Sequence, residues 1–407
     1  MKTRMFLSFL LAVLLVLGVC EAQAQIFSGF VKKVNCTNGE TIARALQVLD
    51  IVPITIQVKG TCNENVSIVL DDVTLKADPS GGAINGLDPH TPTITANAAR
   101  TVIDGLTISG GGTGILVRGG ATIQNCTVQN TGTNGISFFH GSNGTVDNCT
   151  VRNNGGHGVV VEGGSATVIN SAISSNANAG IVVSVSGSAR IGITDQNQYA
   201  GNTISNNQGS GIIVSNSGGA SIGGNTISGN GTNPNSLFAW FGILVDGASA
   251  ILVGSNNITG NSGSGVLAQR SSGVRIGHPA SGLPIANSIT GNGTMPNVPN
   301  GGVYGIQGAS FELRSTTISN NTGNGINLYL HSTARIFDGS VSNNADNGIL
   351  LALGGGLQLL APPVIITGNA QFGLQCSGNE SSFTGDISGI SVNGNTSGGV
   401  SPSCTGF

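Results

Sequence analysis

Asn202-Thr203-Ile204-Ser205-Asn206-Asn207 returns as Asn225-Thr226-Ile227-Ser228-Gly229-Asn230, then as Asn256-Asn257-Ile258-Thr259-Gly260-Asn261 and Asn287-Ser288-Ile289-Thr290-Gly291-Asn292. Aligning the chain on the central aliphatic residue extends the series outward. It reaches Ile108, Val128, Val151 and Ile173 on one side, and Ile318, Val341, Ile366 and Val392 on the other. The intervals run from about 20 to about 31 residues, the range of a solenoid coil. A glycine and an aliphatic pair follow most anchors, as at Gly135-Ile136, Gly180-Ile181 and Gly348-Ile349. A third short run, such as Ala166-Thr167-Val168 or Ala334-Arg335-Ile336, closes the coil. Three alternating runs broken by Gly or Asn predict three strands per coil: an anchor strand, a Gly–aliphatic strand and a closing strand.

The expected fold is therefore all-β, a single right-handed parallel β-helix with three strands per coil and about twelve coils. Stacking at about 4.8 Å per coil gives a rod of roughly 55–60 Å, and right-handed crossing is the default for parallel connections. Period-two alternation turns the residue two before each anchor inward, so Asn202, Asn225, Asn256 and Asn287 form a polar ladder at a turn. Cys126 and Cys149 hold the same place in neighbouring repeats and are expected as stacked, buried thiols.

The ends differ from the middle. Thr37-Asn38-Gly39-Glu40 has capping-box spacing, and Ile42, Ala45, Leu46 and Leu49 make one apolar helical face. A short N-terminal capping helix is expected there, ended by Pro53. Upstream, Lys2 and Arg4 precede an apolar run from Met5 to Val19, and Ala22-Gln23-Ala24 supplies a small-x-small cleavage site. The expected layout is an export signal over 1–24, a cap with the first strands over 25–75, and the β-helix with its C-terminal cap over 76–407. The protein is expected to be secreted or at the cell surface, extracellular or periplasmic, with no membrane span. Export permits disulfides. Cys36 with Cys62, and Cys376 with Cys404, flank the first and last elements and are expected to staple the two ends.

Charge narrows the partners. Only 8% of residues are charged, the formal net charge is −3, and no Lys follows Lys76. Isolated arginines make no basic stripe, so nucleic acid is not an expected partner. Uronate polymers are disfavoured for the same reason.

The recurring Asn-Thr-Ile-Ser-x-Asn…Gly-Ile pattern resembles the parallel β-helix repeats of the pectate-lyase-like superfamily. The stretch from Thr55 to Leu75, with Gly60-Thr61-Cys62-Asn63-Glu64-Asn65-Val66, is similar to that group's opening strands. The resemblance covers nearly the whole mature chain. It implies the fold but no one activity, because such helices include lyases, hydrolases, esterases, epimerases, adhesins and phage spikes.

Insertions point to a binding surface. They enter before the anchor strand at Gly192–Gly201 and Gly277–Asn287, and after it at Gly231–Phe241 and Gly293–Tyr304. Both turns flank one strand, so the loops are expected to wall a mid-rod cleft. Its floor would carry Thr203, Ser205, Thr226, Ser228, Asn257, Thr259, Ser288 and Thr290. Phe238, Trp240, Phe241 and Tyr304 would stand on one side, Tyr199 and His278 on the other. Aromatic faces beside hydroxyls and amides suit a neutral polysaccharide or glycan. Trp240, Phe241, Tyr304, Thr203, Thr226, Asn257 and Thr259 are the expected ligand contacts; the same aromatics would also serve to pin the loops to the rod.

Catalysis is less legible. Glycoside hydrolysis needs two carboxyls about 5–10 Å apart, and the expected floor has none. Gly156-His157-Gly158 resembles a short polygalacturonase motif, but it also fits the ordinary turn-Gly-aliphatic step of the repeat. The acidic Ca²⁺ cluster of pectate lyases and the Asp-Asp-Arg elements of pectin methylesterases are not recognisable. No cofactor or metal is expected. If the protein is an enzyme, a polysaccharide lyase or glycoside hydrolase, its candidate acid/base set is Arg118, His140 and Glu162, which fall near one turn of successive coils. Arg275, Glu312 and Arg335 are expected as a salt ladder on the closing strands. A non-catalytic adhesin, or a structural solenoid with the flat hydroxyl arrays of ice-binding proteins, is the remaining class.

Overall fold

The computed structural model describes residues 29–47, 53–233, 240–278, 285–295, 300–360, 364–378, 381–385 and 391–404. The export segment expected over 1–24 and Leu49 of the capping helix lie outside these residues. Among them no helix is long and apolar enough to cross a membrane.

The chain is a right-handed parallel β-helix. Among the described residues, fourteen Gly–aliphatic strands stack into one sheet. Anchor and closing strands form the other two faces, and the long strands Ile54–Asn63 and Val73–Gly86 turn the corner to join them into one 27-stranded sheet. Every anchor sits over the next in register, as Ile204 over Ile227 over Ile258 over Ile289. All four are fully buried. Burying one such side chain stabilises by about 1.5–3 kcal/mol, which is why the anchors recur.

The coil count exceeds the dozen expected. Two further Gly–aliphatic strands, Val66–Ile68 and Ile94–Ala96, precede the series, in coils that lack the Asn-Thr-Ile-Ser phrase. The first strands lie before residue 76, and the strand Val73–Gly86 spans it.

The cap also differs in detail. The helix spans Ile42–Gln47, with Ile42 and Ala45 buried. Its first N–H groups, at Ile42 and Ala43, donate to Glu64 at 2.7 and 3.0 Å. Glu40 instead accepts from the Asn35 amide at 2.7 Å, and Cys36–Asn38 is a 3₁₀ turn. The carboxylate that satisfies this helix therefore comes from the first coil and not from Glu40 of the capping-box spacing. Cys36–Cys62 and Cys376–Cys404 are disulfides. Cys126 and Cys149 are free and buried.

Polar ladders run inside the rod. Asn202, Asn225, Asn256 and Asn287 pass side-chain amide hydrogen bonds along the rod at 2.9–3.1 Å. A longer ladder, built from the second Asn of the phrase, joins Asn154, Asn176, Asn207, Asn230, Asn261, Asn292, Asn321, Asn344, Asn369 and Asn395 at 2.8–3.1 Å. Asn230 shows the pattern. Its amide donates to Asn261 Oδ1 and to the Ile204 carbonyl, while its own Oδ1 accepts from the Asn207 amide and backbone N–H. Every donor and acceptor is used, so the buried amide is satisfied. The same ladder accounts for the recurring glycine: a Cβ at Gly242 would lie 2.6 Å from Ile258 Cγ2 and 2.9 Å from Asn261 Nδ2. The residue preceding the ladder Asn adopts left-handed backbone, at φ 55° in Asn206 and 62° in Gly229, a conformation suited to Asn and Gly.

Candidate functional site

The outward positions of the anchor strands form two straight rows. One reads Thr203, Thr226, Asn257, Ser288, Thr317 and Ser340; the other reads Ser205, Ser228, Thr259, Thr290, Ser319 and Ser342. Thr203, Thr226 and Asn257 are exposed and Thr259 is half-buried. The rows extend well beyond the four coils anticipated, and from Ser174 to Thr367 they carry no charge. Arg152 is the nearest charged side chain on the N-terminal side, in register with Ser174.

The aromatic candidates come together elsewhere. Leu244, Leu267 and Tyr304 occupy one outward row on the Gly–aliphatic face. Phe241, only 3% exposed, packs with Leu244 and Leu267, and the half-buried Trp240, Tyr304 and Ile213 close around them. The Trp240 indole N–H donates to the Asn233 carbonyl at 2.9 Å, and its own carbonyl accepts from Gly263 at 2.6 Å. These contacts set Trp240 at the corner between the anchor and Gly–aliphatic faces and pin its loop to the rod. Burial raises the Tyr304 phenol above its ordinary pKa, with Tyr329 adding to the effect. The structure thus assembles Trp240, Phe241 and Tyr304 in one cluster and Thr203, Thr226, Asn257 and Thr259 in another, on adjoining faces. Much of the expected wall, including Phe238, lies outside the described residues.

The insertion at 192–201 folds into a small hairpin held by an Ile193–Tyr199 bridge. It leans over the closing face: Asp195 accepts from Thr167 at 3.4 Å and lies 3.9 Å from Arg190. A concavity of about 310 Å³ opens beside it, over Thr145, Thr167 and Arg190. A second, of about 510 Å³, lies farther along the same face over Ile251, Gly273, Arg275 and Glu312. Register alone would have exposed this second hollow, since Gly273 stands between Ser249 and Ser310.

Arg275, Glu312 and Arg335 are in register as expected, but their pairing differs. Glu312 takes Arg314 at 3.0 Å and Arg275 at 3.8 Å, whereas Arg335 donates to Gln358 at 2.9 Å. Arg314 follows Glu312 by two residues and therefore reaches it from the same strand's end, which a cross-strand scheme misses.

Arg118, His140 and Glu162 sit at one corner, yet among the described residues no hydrogen bond or ion pair joins them. Arg118 lies 5.5 Å from the Phe139 ring centroid, and Phe139 meets His140 edge-on at 4.5 Å. His157 is tied into the repeat. Its Nδ1 accepts from the Ala179 amide at 3.1 Å, its backbone N–H donates to Asn134 at 3.0 Å, and burial lowers its pKa.

A family model described as a right handed beta helix region matches residues 93–241, 157–278 and 239–401. No curated protein matches the sequence. Solved structures resemble the chain at low identity. The catalytic unit of an α-1,3-glucanase from Streptomyces thermodiastaticus is 14% identical, with 91% of this chain and 70% of that one covered and a TM-score of 0.48. A periplasmic alginate epimerase is 13% identical over 86% and 84%, with a TM-score of 0.47. Pectate lyase Pel9A is 12% identical over 71% and 80%, with a TM-score of 0.39. These likenesses concern the fold alone.

Proposed function

The chain belongs to the right handed beta helix family, and we propose that it is an exported member whose anchor face binds neutral polysaccharide. The observation that carries this reading is the pair of uncharged rows, with Thr203, Thr226, Asn257 and Thr259 at their centre. Hydroxyls and amides repeating at the strand spacing of about 4.8 Å offer donors and acceptors in a lattice. An extended chain of sugar hydroxyls can meet such a lattice at many points, each weak alone. On the adjoining face, Trp240 and Tyr304 present half-buried rings suited to the apolar face of a sugar, packed around Phe241. The low net charge fits a neutral polymer better than a polyanion. Two disulfides are compatible with an oxidising compartment.

A panel of soluble and insoluble polysaccharides tests the proposal when read for binding and for product release together. Retention on a neutral polymer, weakened by Thr226→Arg, is expected. Retention on none of the neutral polymers, or on polyuronates only, would overturn it.

The length of the rows favours one second reading, a structural solenoid that presents ordered hydroxyls to an ice-like surface. A thermal-hysteresis measurement separates the two: no hysteresis is expected for a polysaccharide binder.

A further inference from the structure

We propose that Cys126 and Cys149, whose sulfurs are unbonded in this structure, become joined in the mature protein by a third disulfide, one that ties two coils together inside the rod. Thr127 and Thr150, the residues that follow them, are paired in register. The two cysteines are therefore one strand spacing apart, about 4.8 Å between Cα atoms, within the span that a disulfide bridges. The bridged pairs at the ends have Cα separations of 5.0 and 4.9 Å and sequence separations of 26 and 28, comparable spans. Cys126 and Cys149 are 23 residues apart and occupy the inward column two before the anchor.

Their surroundings leave the pair nothing else to do. Both are 2% exposed and stand in the same inward column of adjacent coils. They donate to backbone carbonyls, at 3.1–3.4 Å. Among the described residues the one cluster with metal-ligand spacing is Cys36, Cys62 and Glu64, where the cysteines are already bridged. Farther along the column, Asn202 and its successors link coil to coil through side-chain amides. At Cys126 and Cys149 a covalent bond would make the equivalent link.

Formation is an ordinary thiol–disulfide exchange. One thiolate attacks a disulfide oxidant, glutathione disulfide or an oxidoreductase, and releases its first thiol. The second thiolate then attacks the mixed disulfide, forms the Sγ–Sγ bond and releases the second thiol. Two electrons pass to the oxidant and two protons leave the cysteines. Burial at 2% places this exchange during folding, before the coils close.

The test is to refold the reduced, full-length chain in mixed oxidised and reduced glutathione, then alkylate it in denaturant and map its peptides. The map is read on molecules whose Cys36–Cys62 and Cys376–Cys404 bridges have formed, so oxidising power is controlled internally. We expect a cross-linked peptide pair containing Cys126 and Cys149, with neither residue alkylated. Alkylation of both, or pairing of either with any other cysteine, overturns the proposal. The outcome is independent of export and of any ligand.

Discussion

The anchor face and the closing face are built alike, as parallel ladders with one residue in two pointing outward, yet they carry different chemistry. The closing face accepts Arg190, Arg275, Glu312 and Arg335 in a single outward row. The anchor face holds hydroxyls and amides over the same coils. Charge is evidently tolerated by this backbone, so the uncharged rows are not a demand of folding. A surface property that the fold does not require is best explained by what the surface meets.

The largest effect expected from breaking this contrast lies beneath the anchor face. Asn230→Leu leaves the Asn207 amide and backbone N–H without an acceptor and takes one of two donors from Asn261 Oδ1, whose bond from the residue-230 backbone N–H remains. With each buried orphan costing about 1–3 kcal/mol, a loss of about 3–5 kcal/mol is expected in denaturant unfolding. On the closing face, Glu312→Gln removes the partner of Arg314 and Arg275. Both pairs are partly exposed, so a loss of at most about 1 kcal/mol is expected, shrinking further as salt is added.

The smallest effect is one of pH. Burial holds the His157 pKa below its ordinary value of 6.5. Its neutral form is favoured in the folded chain, so its contribution is fully present above about pH 6.5. The contribution is lost as pH falls through that value towards the lower folded pKa, because the unfolded chain takes up the proton first. His157→Asn keeps a side-chain acceptor, as Asn134 does in the preceding coil. It should flatten this part of the stability profile between about pH 7.5 and about pH 5 in thermal melts.

Much of this architecture is legible from the repeated phrase, because buried aliphatics at Ile204, Ile227 and Ile258 must recur wherever coils stack. The first Asn of the phrase was readable as an inward ladder by alternation. The second was not, since Asn207 and Asn230 follow a left-handed residue that resets the alternation. Knowing that Gly229 and Asn206 turn the chain there would have turned the second Asn inward too. The candidate site was legible only by row. Thr203, Thr226, Asn257 and Thr259 fall where alternation puts them. Trp240 and Tyr304 lie on a neighbouring face, because where an inserted loop folds is settled by packing on Leu244 and Leu267, which no spacing encodes. Glu64 reaching back to cap Ile42–Gln47 is a contact of the same long-range kind.

The most direct measurement places one positive charge on each face and reads both stability and retention on the neutral polysaccharide the panel identifies. Thr226→Arg on the anchor face should shift unfolding by no more than about 0.5 kcal/mol while reducing affinity at least about tenfold, and Ser221→Arg on the closing face should change neither. Equal retention by both variants and the unmodified protein would contradict a ligand-binding anchor face.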